Sequence, residues 1–347
     1  MKSKWRRLLK IKDNRGATVI MVALSLVIIV GVATFAVDIG YLMIVRNQLQ
    51  NAADAAALAG ASSLIPPGSS ELDWAQAETQ AASAIGLNKS DGVTLTDCVV
   101  QTGYWNIAHN PDGLQGTGIT PGPKDFPAVQ VTVSKNAGQN SGPVKPWFAP
   151  VIGIKTINAS AVATAVIASP GTVLPGNVPA KGGTLPVAIS KAVADQIDSY
   201  NDPTKLFRIG SSYHYPVSAA GQWTSFDVDS NNVPTIRDLI ANGNPVPLSI
   251  GDNIWIQPGT KTTLYTSVLA LVGMNVLMPV VQTADGTMET HEWAPIIGFV
   301  GFHITDSVGG SDKYIEGYFL PGFIAKNTGG IGENKGYGVF KPPSLVR

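Results

Sequence analysis

Few residues in this 347-residue chain are spaced for chemistry. His291-Glu292-Trp293 opens as the helical zinc signature H-E-x-x-H does, but the second histidine that completes a metal pair on one helix face is missing. His303 can join His291 only if neighbouring strands bring the two together, and His109 and His214 sit beside aromatic or turn residues. From Asp227 onward, Asp227, Asp229, Asn231, Thr235 and Asp238 place oxygen donors in the order of a calcium-type loop, with Asn232 at the left-handed turn position. Asp238 is short for the bidentate reach its position requires, and Pro234 removes a backbone donor. The same residues also read as an Asx-rich turn capping a helix over 235–241. Calcium, if bound there, is a structural clip; no catalytic cofactor is expected. Motifs that cradle phosphate or activate a nucleophile (G-x-S-x-G, G-x-x-x-x-G-K-[ST], G-x-G-x-x-G, S-x-x-K) do not occur. Trp223, Trp255, Trp293, Tyr314, Tyr318 and Phe319 supply either core or an exposed ligand or carbohydrate surface.

The elements that would hold these groups follow from composition and charge. A chain that is 44% apolar and only 14% charged builds folded cores, not a disordered tail. Seven basic residues (Lys2, Lys4, Arg6, Arg7, Lys10, Lys12, Arg15) precede residue 17, with Asp13 as the one acid among them. The remainder carries 17 basic and 23 acidic residues, which argues against nucleic acid as a partner. Cys98 is the single cysteine, so no intrachain disulfide forms; it is either a small buried residue or a thiol open to intermolecular crosslinking.

From Ala17 to Val37 no charge occurs, and those 21 residues span roughly 31 Å as a helix, the thickness of a bilayer's hydrocarbon. A cleaved signal has a shorter apolar stretch, so a retained transmembrane helix is expected, with the basic tip (1–16) in the cytoplasm and the ectodomain on the far side. No proline follows until Pro66, which predicts one helix of nearly 50 residues. Leu42, Val45, Leu49, Ala52, Ala56 and Ala59 fall on one stripe, and Ala52, Ala56 and Gly60 recur every fourth position. That stripe packs either on the protein's own ectodomain or on neighbouring subunits, including a second copy of the long helix.

Arg15-Gly16-Ala17, the apolar span, Ala36-Val37-Asp38-Ile39-Gly40-Tyr41 and the run from Arg46-Asn47-Gln48 through Asn51-Ala52-Ala53-Asp54-Ala55-Ala56 to Gly60-Ala61 resemble the N-terminal segment of TadG-like proteins of the Flp (Tad) pilus-assembly system. The likeness continues in Gly103-Tyr104-Trp105, in Ala128–Val133 and in Trp147–Ile154 followed by Asn158–Ala163, and so covers roughly 15–168. It implies a bacterial inner-membrane envelope protein that helps assemble or anchor a type IVb pilus or a related surface structure, with other pilus-assembly or secretion subunits as partners and no chemistry of its own. Some relatives carry a von Willebrand factor A domain opening on Asp-x-Ser-x-Ser; this chain has no such loop. Met21 stands where pilin-like subunits of such systems carry glutamate.

Beyond the long helix, a second helix is expected over Glu71–Ile85, capped by Ser69 or Ser70 and closed by Gly86. Strands are expected at Val93–Gln101, Ala128–Ser134 and Ile157–Ile167. The Pro/Gly-rich stretch 170–186 is expected as an extended spacer, so the domain plan is a tip, a span (17–37), a helix-plus-sheet proximal domain (38–169), the linker and a β-rich distal domain (187–347). In the distal part a helix is expected over Ile189–Tyr200, then strands at Asn253–Ile256, Leu264–Leu271, Val276–Gln282, Ile296–Ile304 and Tyr314–Phe319, forming a sandwich or barrel. The fold class is α+β. The leading expectation is a non-enzymatic assembly factor; the alternatives are a pilin-like filament subunit or adhesin, and a membrane-tethered hydrolase whose residues meet only in the fold.

Overall fold

The computed structural model describes residues 15–66, 68–69, 71–210, 221–257, 261–282, 288, 290–332 and 336–346. His214 lies outside the described residues.

Helix α1 runs Arg15–Ser62, 48 residues without a break. Its uninterrupted course follows from the absence of proline and the wealth of alanine and leucine, and it ends just before Pro66. Residues 18–33 are exposed throughout, and among the described residues this is the one helix long and apolar enough to cross a membrane. From Asp38 onward the same helix gains a buried face: Val45, Leu49, Ala52, Ala53, Ala56 and Ala57 are at most 1% exposed.

What buries that face is the protein itself. Helix α2 (Trp74–Ile85) starts on Asp73, whose carboxylate accepts the Gln76 N–H, and closes at Gly86. Strands β1 (Val99–Asn106), β2 (Leu114–Gln115), β3 (Asp125–Lys135) and β4 (Ala159–Val166) form an antiparallel sheet in the order β4-β3-β1-β2. Its inward-facing Val129, Val131, Val133, Ala161 and Ala163 cover the α1 stripe. At Gly60 a Cβ would stand 2.9 Å from the Ala77 carbonyl oxygen, the Ala81 Cβ and a Val129 methyl, so glycine there permits α1, α2 and β3 to meet. Of the two partners expected for the stripe Leu42, Val45, Leu49, Ala52, Ala56 and Gly60, the protein's own ectodomain takes it: the stripe is packed into the intramolecular core and not left as a surface for neighbouring subunits, with only Leu42 keeping partial exposure.

The distal strands are β5 (Val187–Ser190), β6 (Phe207–Gly210), β7 (Gly221–Trp223), β8 (Asn253–Ile256), β9 (Asn275–Val281), β10 (Glu292–Val308) and β11 (Tyr314–Phe319). They make one sheet in the order β7-β5-β9-β10-β11-β6, with β8 also paired to β10. The β5–β9 pair is parallel and the other pairs are antiparallel. The sheet curls until its ends approach: a Cβ on Gly221 in β7 would sit 2.8 Å from an Ile209 methyl in β6. Helices α3 (Val233–Asn242) and α4 (Thr262–Val268) contribute Ile236, Leu239, Leu264 and Val268 to this core.

Two distal elements differ from expectation. Residues 264–271, expected as a strand for their aromatic and β-branched content, are helical because Leu264, Val268 and Leu271 recur at helical spacing and bury one face. Residues 189–200, expected as one helix, start inside β5 and then make only a helical turn at Lys191–Ala194 and a 3-10 turn at Ile197–Tyr200. The stretch 170–186 is also not an extended spacer. Thr172–Val173 pairs with both Leu248–Ser249 and Thr328–Gly329, and Val173 and Leu185 are fully buried. Its prolines and glycines serve turns, not stiffness: a Cβ on Gly183 would fall 2.3 Å from the Asn177 backbone. Finally, Ser344–Leu345 returns to the proximal sheet and pairs with Val166 and Ala165 on β4.

Candidate membrane-proximal assembly site

The residues that organise the junction between the exposed apolar half of α1 and the folded core begin with Asp38. Its carboxylate, buried to 4% exposure, accepts the backbone N–H groups of Trp147 (2.7 Å), Phe148 (3.0 and 3.2 Å) and Ala149 (2.6 Å). These are the free donors at the start of the 3-10 turn Ala149–Ile152, which Pro150 preorganises and Gly153, at φ +92°, closes. A lone carboxylate at the end of an apolar span thus finds three charge-assisted hydrogen bonds from a loop more than 100 residues away. Tyr41, one helical turn on, packs edge-on to Trp147 with ring centroids 6.4 Å apart.

Above this clamp lies a polar knot. The hairpin pairing Lys89–Ser90 with Val93–Thr94 turns at Asp91-Gly92, both with positive φ. Asp91 accepts the Tyr41 hydroxyl, its N–H donates to Gln48 Oε1 at 2.8 Å, and its other oxygen lies 3.7 Å from Lys135 Nζ. Lys135 is 1% exposed and also donates to the Asn140 carbonyl at 2.9 Å. The Asp91 hydrogen bond, with burial adding to it, raises the Tyr41 hydroxyl's pKa. Asn140 in turn donates to the carbonyls of Asp97 and Ser134 and accepts from the N–H groups of Thr96 and Asp97. The arrangement fixes loops against α1; it presents no nucleophile beside a base.

The residues picked out for chemistry are scattered. His291 immediately precedes β10 and His303 lies within it, so the two are separated along one strand, by roughly 40 Å at ~3.3 Å per residue, and do not meet across neighbouring strands. His303 Nδ1 is 2.6 Å from Asn275 Oδ1 and its ring stacks on Tyr318; burial lowers its pKa. Asp227, Asp229, Asn231 and Asp238 are all exposed. Asn231 accepts the Trp255 indole N–H, Asp238 accepts from Asn242, and Asn232 caps α3 through the Thr235 N–H. The stretch is thus built as the capping turn, and no group of three or more His, Cys, Asp or Glu capable of holding a metal occurs among the described residues. Trp223 and Phe319 are core, whereas half-buried Trp255 and exposed Trp293 form a cross-strand pair at 5.4 Å. Cys98 is half-buried against the proximal core, and burial pushes its thiol pKa up.

In the sequence Asp38 and Trp147–Ile154 stand apart, with no local pattern joining them. A signal existed: an acid at the very end of an apolar span needs a partner, and an apolar, proline-bracketed run between two lysines offers free backbone donors.

Residues 16–63 match a family model described as Flp pilus-assembly TadE/G-like, and residues 48–165 match one described as Tad-like Flp pilus-assembly. No curated protein and no solved structure matches the chain. The first match ends with α1 and the second runs into β4, so together they cover α1 and the sheet that buries it and leave the distal sheet outside. Over residues 16–165 the chain is thus similar to TadE/G-like and Tad-like proteins of Flp pilus assembly, which supports its involvement in that process.

Proposed function

We propose that the chain is a non-enzymatic, inner-membrane-anchored assembly factor of a Flp (Tad) pilus, with its N-terminus in the cytoplasm and its ectodomain across the membrane. The observation that carries this reading is the continuity of α1, whose exposed apolar first half passes without a break into the buried face of the family-matched core. A rigid helix of this kind, about 70 Å long at 1.5 Å per residue, transmits position from bilayer to ectodomain. The basic tip supplies the orientation. Among the described residues the separated histidines and the capping role of the Asp227–Asp238 stretch give a hydrolase no assembled site. Because the stripe of α1 is spent internally, contacts with other assembly subunits fall to the span and to surfaces outside the core.

The test is removal of the chain from cells that make Flp pili, followed by shearing and by detergent extraction of the tagged full-length protein. Loss of sheared pili, together with co-purification of other Tad components from the inner-membrane fraction, is the expected result. Recovery of the chain as a major constituent of sheared filaments would instead make it a filament subunit.

A further inference from the structure

We propose that the loop Lys145–Lys155 is a second membrane-binding element, inserted into the acyl-chain region of the bilayer leaflet nearest the ectodomain. This rests on α1 being a membrane span. The loop reads Lys-Pro-Trp-Phe-Ala-Pro-Val-Ile-Gly-Ile-Lys, and its apolar side chains face outward: Trp147 is 73% exposed, Val151 88% and Ile152 69%. A water-facing loop with such a patch has no core to serve.

Three features of the fold choose lipid as what covers it. First, the loop does not point away from the membrane. Phe148, Val151 and Ile152 face back along α1 and share a cleft of about 620 Å³ with Val30, Thr34 and Phe35, residues inside the apolar span. The cleft reaches Leu26, which lies roughly 18 Å further down the helix than Asp38 at 1.5 Å per residue. If the span is in the bilayer, the loop beside it is in the same hydrocarbon. Second, Asp38 fixes the depth. The loop's exposed backbone donors would be costly in hydrocarbon, and the carboxylate takes up three of them. Third, the apolar run is bounded by Lys145 and Lys155, both exposed, and lysines at such positions reach back to anionic headgroups while a tryptophan sits at the interface. The consequence is mechanical. One helix alone leaves an ectodomain free to swivel and tilt, whereas a helix plus a clamped, inserted loop sets its orientation on the membrane plane.

The experiment uses the full chain with Cys98→Ala, reconstituted into phosphatidylcholine–phosphatidylglycerol vesicles in which a fraction of the lipids carry a nitroxide on the acyl chain. An environment-sensitive fluorophore is attached through Val151→Cys, or through Ile152→Cys if the first variant does not fold, and through Val27→Cys as the reference within the span. The expected result is a blue-shifted emission at position 151 that the nitroxide lipid quenches to an extent comparable with position 27, and that aqueous iodide does not. Adding Asp38→Asn should lower the quenching at 151 and leave that at 27 unchanged. Quenching at 27 with iodide-accessible emission at 151 overturns the inserted loop and leaves the anchor intact. Emission at 151 shielded from both quenchers also overturns it, because protein then covers the loop. Absence of lipid quenching at both positions overturns the span reading itself.

Discussion

At the residue scale, two acids with different surroundings hold the junction together. Asp38 is satisfied wholly by backbone N–H groups, so it needs no cation. Asp91 instead compensates a lysine that is almost fully buried, and the two partners are not equivalent. Lys135 is enclosed, whereas the Asp91 side chain keeps 24% of its surface in water. Removing the negative charge should therefore cost more than removing the positive one. Asp91→Asn retains both the left-handed turn conformation at φ +57° and an oxygen for the Tyr41 hydroxyl, so it isolates the charge. Chemical denaturation of the full chain in detergent should show a loss of about 2–3 kcal/mol, because a buried ammonium is left with one carbonyl. Lys135→Met should cost less than Asp91→Asn, and combining the two should recover part of the loss. Equal costs for the two single variants would mean that the pair is screened and the knot is held by its neutral hydrogen bonds alone.

At the scale of elements, glycine position on α1 separates packing from propensity. In a helix interior Gly→Ala is worth about 1 kcal/mol in favour of alanine. Gly40 has nothing within 4 Å of its would-be Cβ, so Gly40→Ala should stabilise by up to that amount. At Gly60 the added carbon would meet a carbonyl oxygen and a Cβ of α2 at 2.9 Å, and neither can move without moving the helix. Overpacking of about 1–3 kcal/mol should outweigh the propensity gain, so Gly60→Ala destabilises. Thermal melts of the two variants should thus move in opposite directions, and a shared direction would refute the close α1–α2 approach. The same contrast explains what could be read in advance. The length of α1 was legible because it depends on local rules: no proline, helix-forming side chains, an unbroken apolar span. Strands β8 and β11 were legible because alternation marked them. Residues 264–271 were misread because Leu264, Tyr265 and Val268 satisfy a strand by composition and a helix by spacing, and only packing against the distal core decides. The Asp38 clamp was illegible for a related reason: its partners lie 109–111 residues away, beyond the reach of any periodicity.

At the scale of the whole molecule, the distal sheet is tied back to the membrane-proximal part at several places. The Lys341 N–H donates to the Ala168 carbonyl, the Val346 N–H to Thr164, and the Gly332 N–H to Ser169. Gly322 approaches the α1–α2 connection so closely that a Cβ would stand 2.8 Å from the Ser69 carbonyl oxygen. The chain thus leaves the proximal sheet at β4, builds the distal sheet and returns to β4. Proline and glycine content alone suggested a spacer over 170–186, since composition cannot distinguish an extended tether from a stretch of tight turns. The two arrangements predict different fates under protease. A tether is cut first, releasing two stable halves, because its backbone is free to enter an active site. Here Val173 and Leu185 are buried, and the N–H groups of Gly176, Gly183, Thr184 and Leu185 are all hydrogen-bonded, so cleavage requires local unfolding. Limited thermolysin digestion of the folded, full-length protein should leave 170–186 intact while surface loops are nicked, and cleavage there should appear only as the distal core opens. Rapid cleavage within 170–186 that leaves both halves folded would show that the return strand and its hydrogen bonds do not hold the ectodomain together. Resistance to such cleavage would show that the two sheets are held together by the return strand and its hydrogen bonds, with no free tether between them.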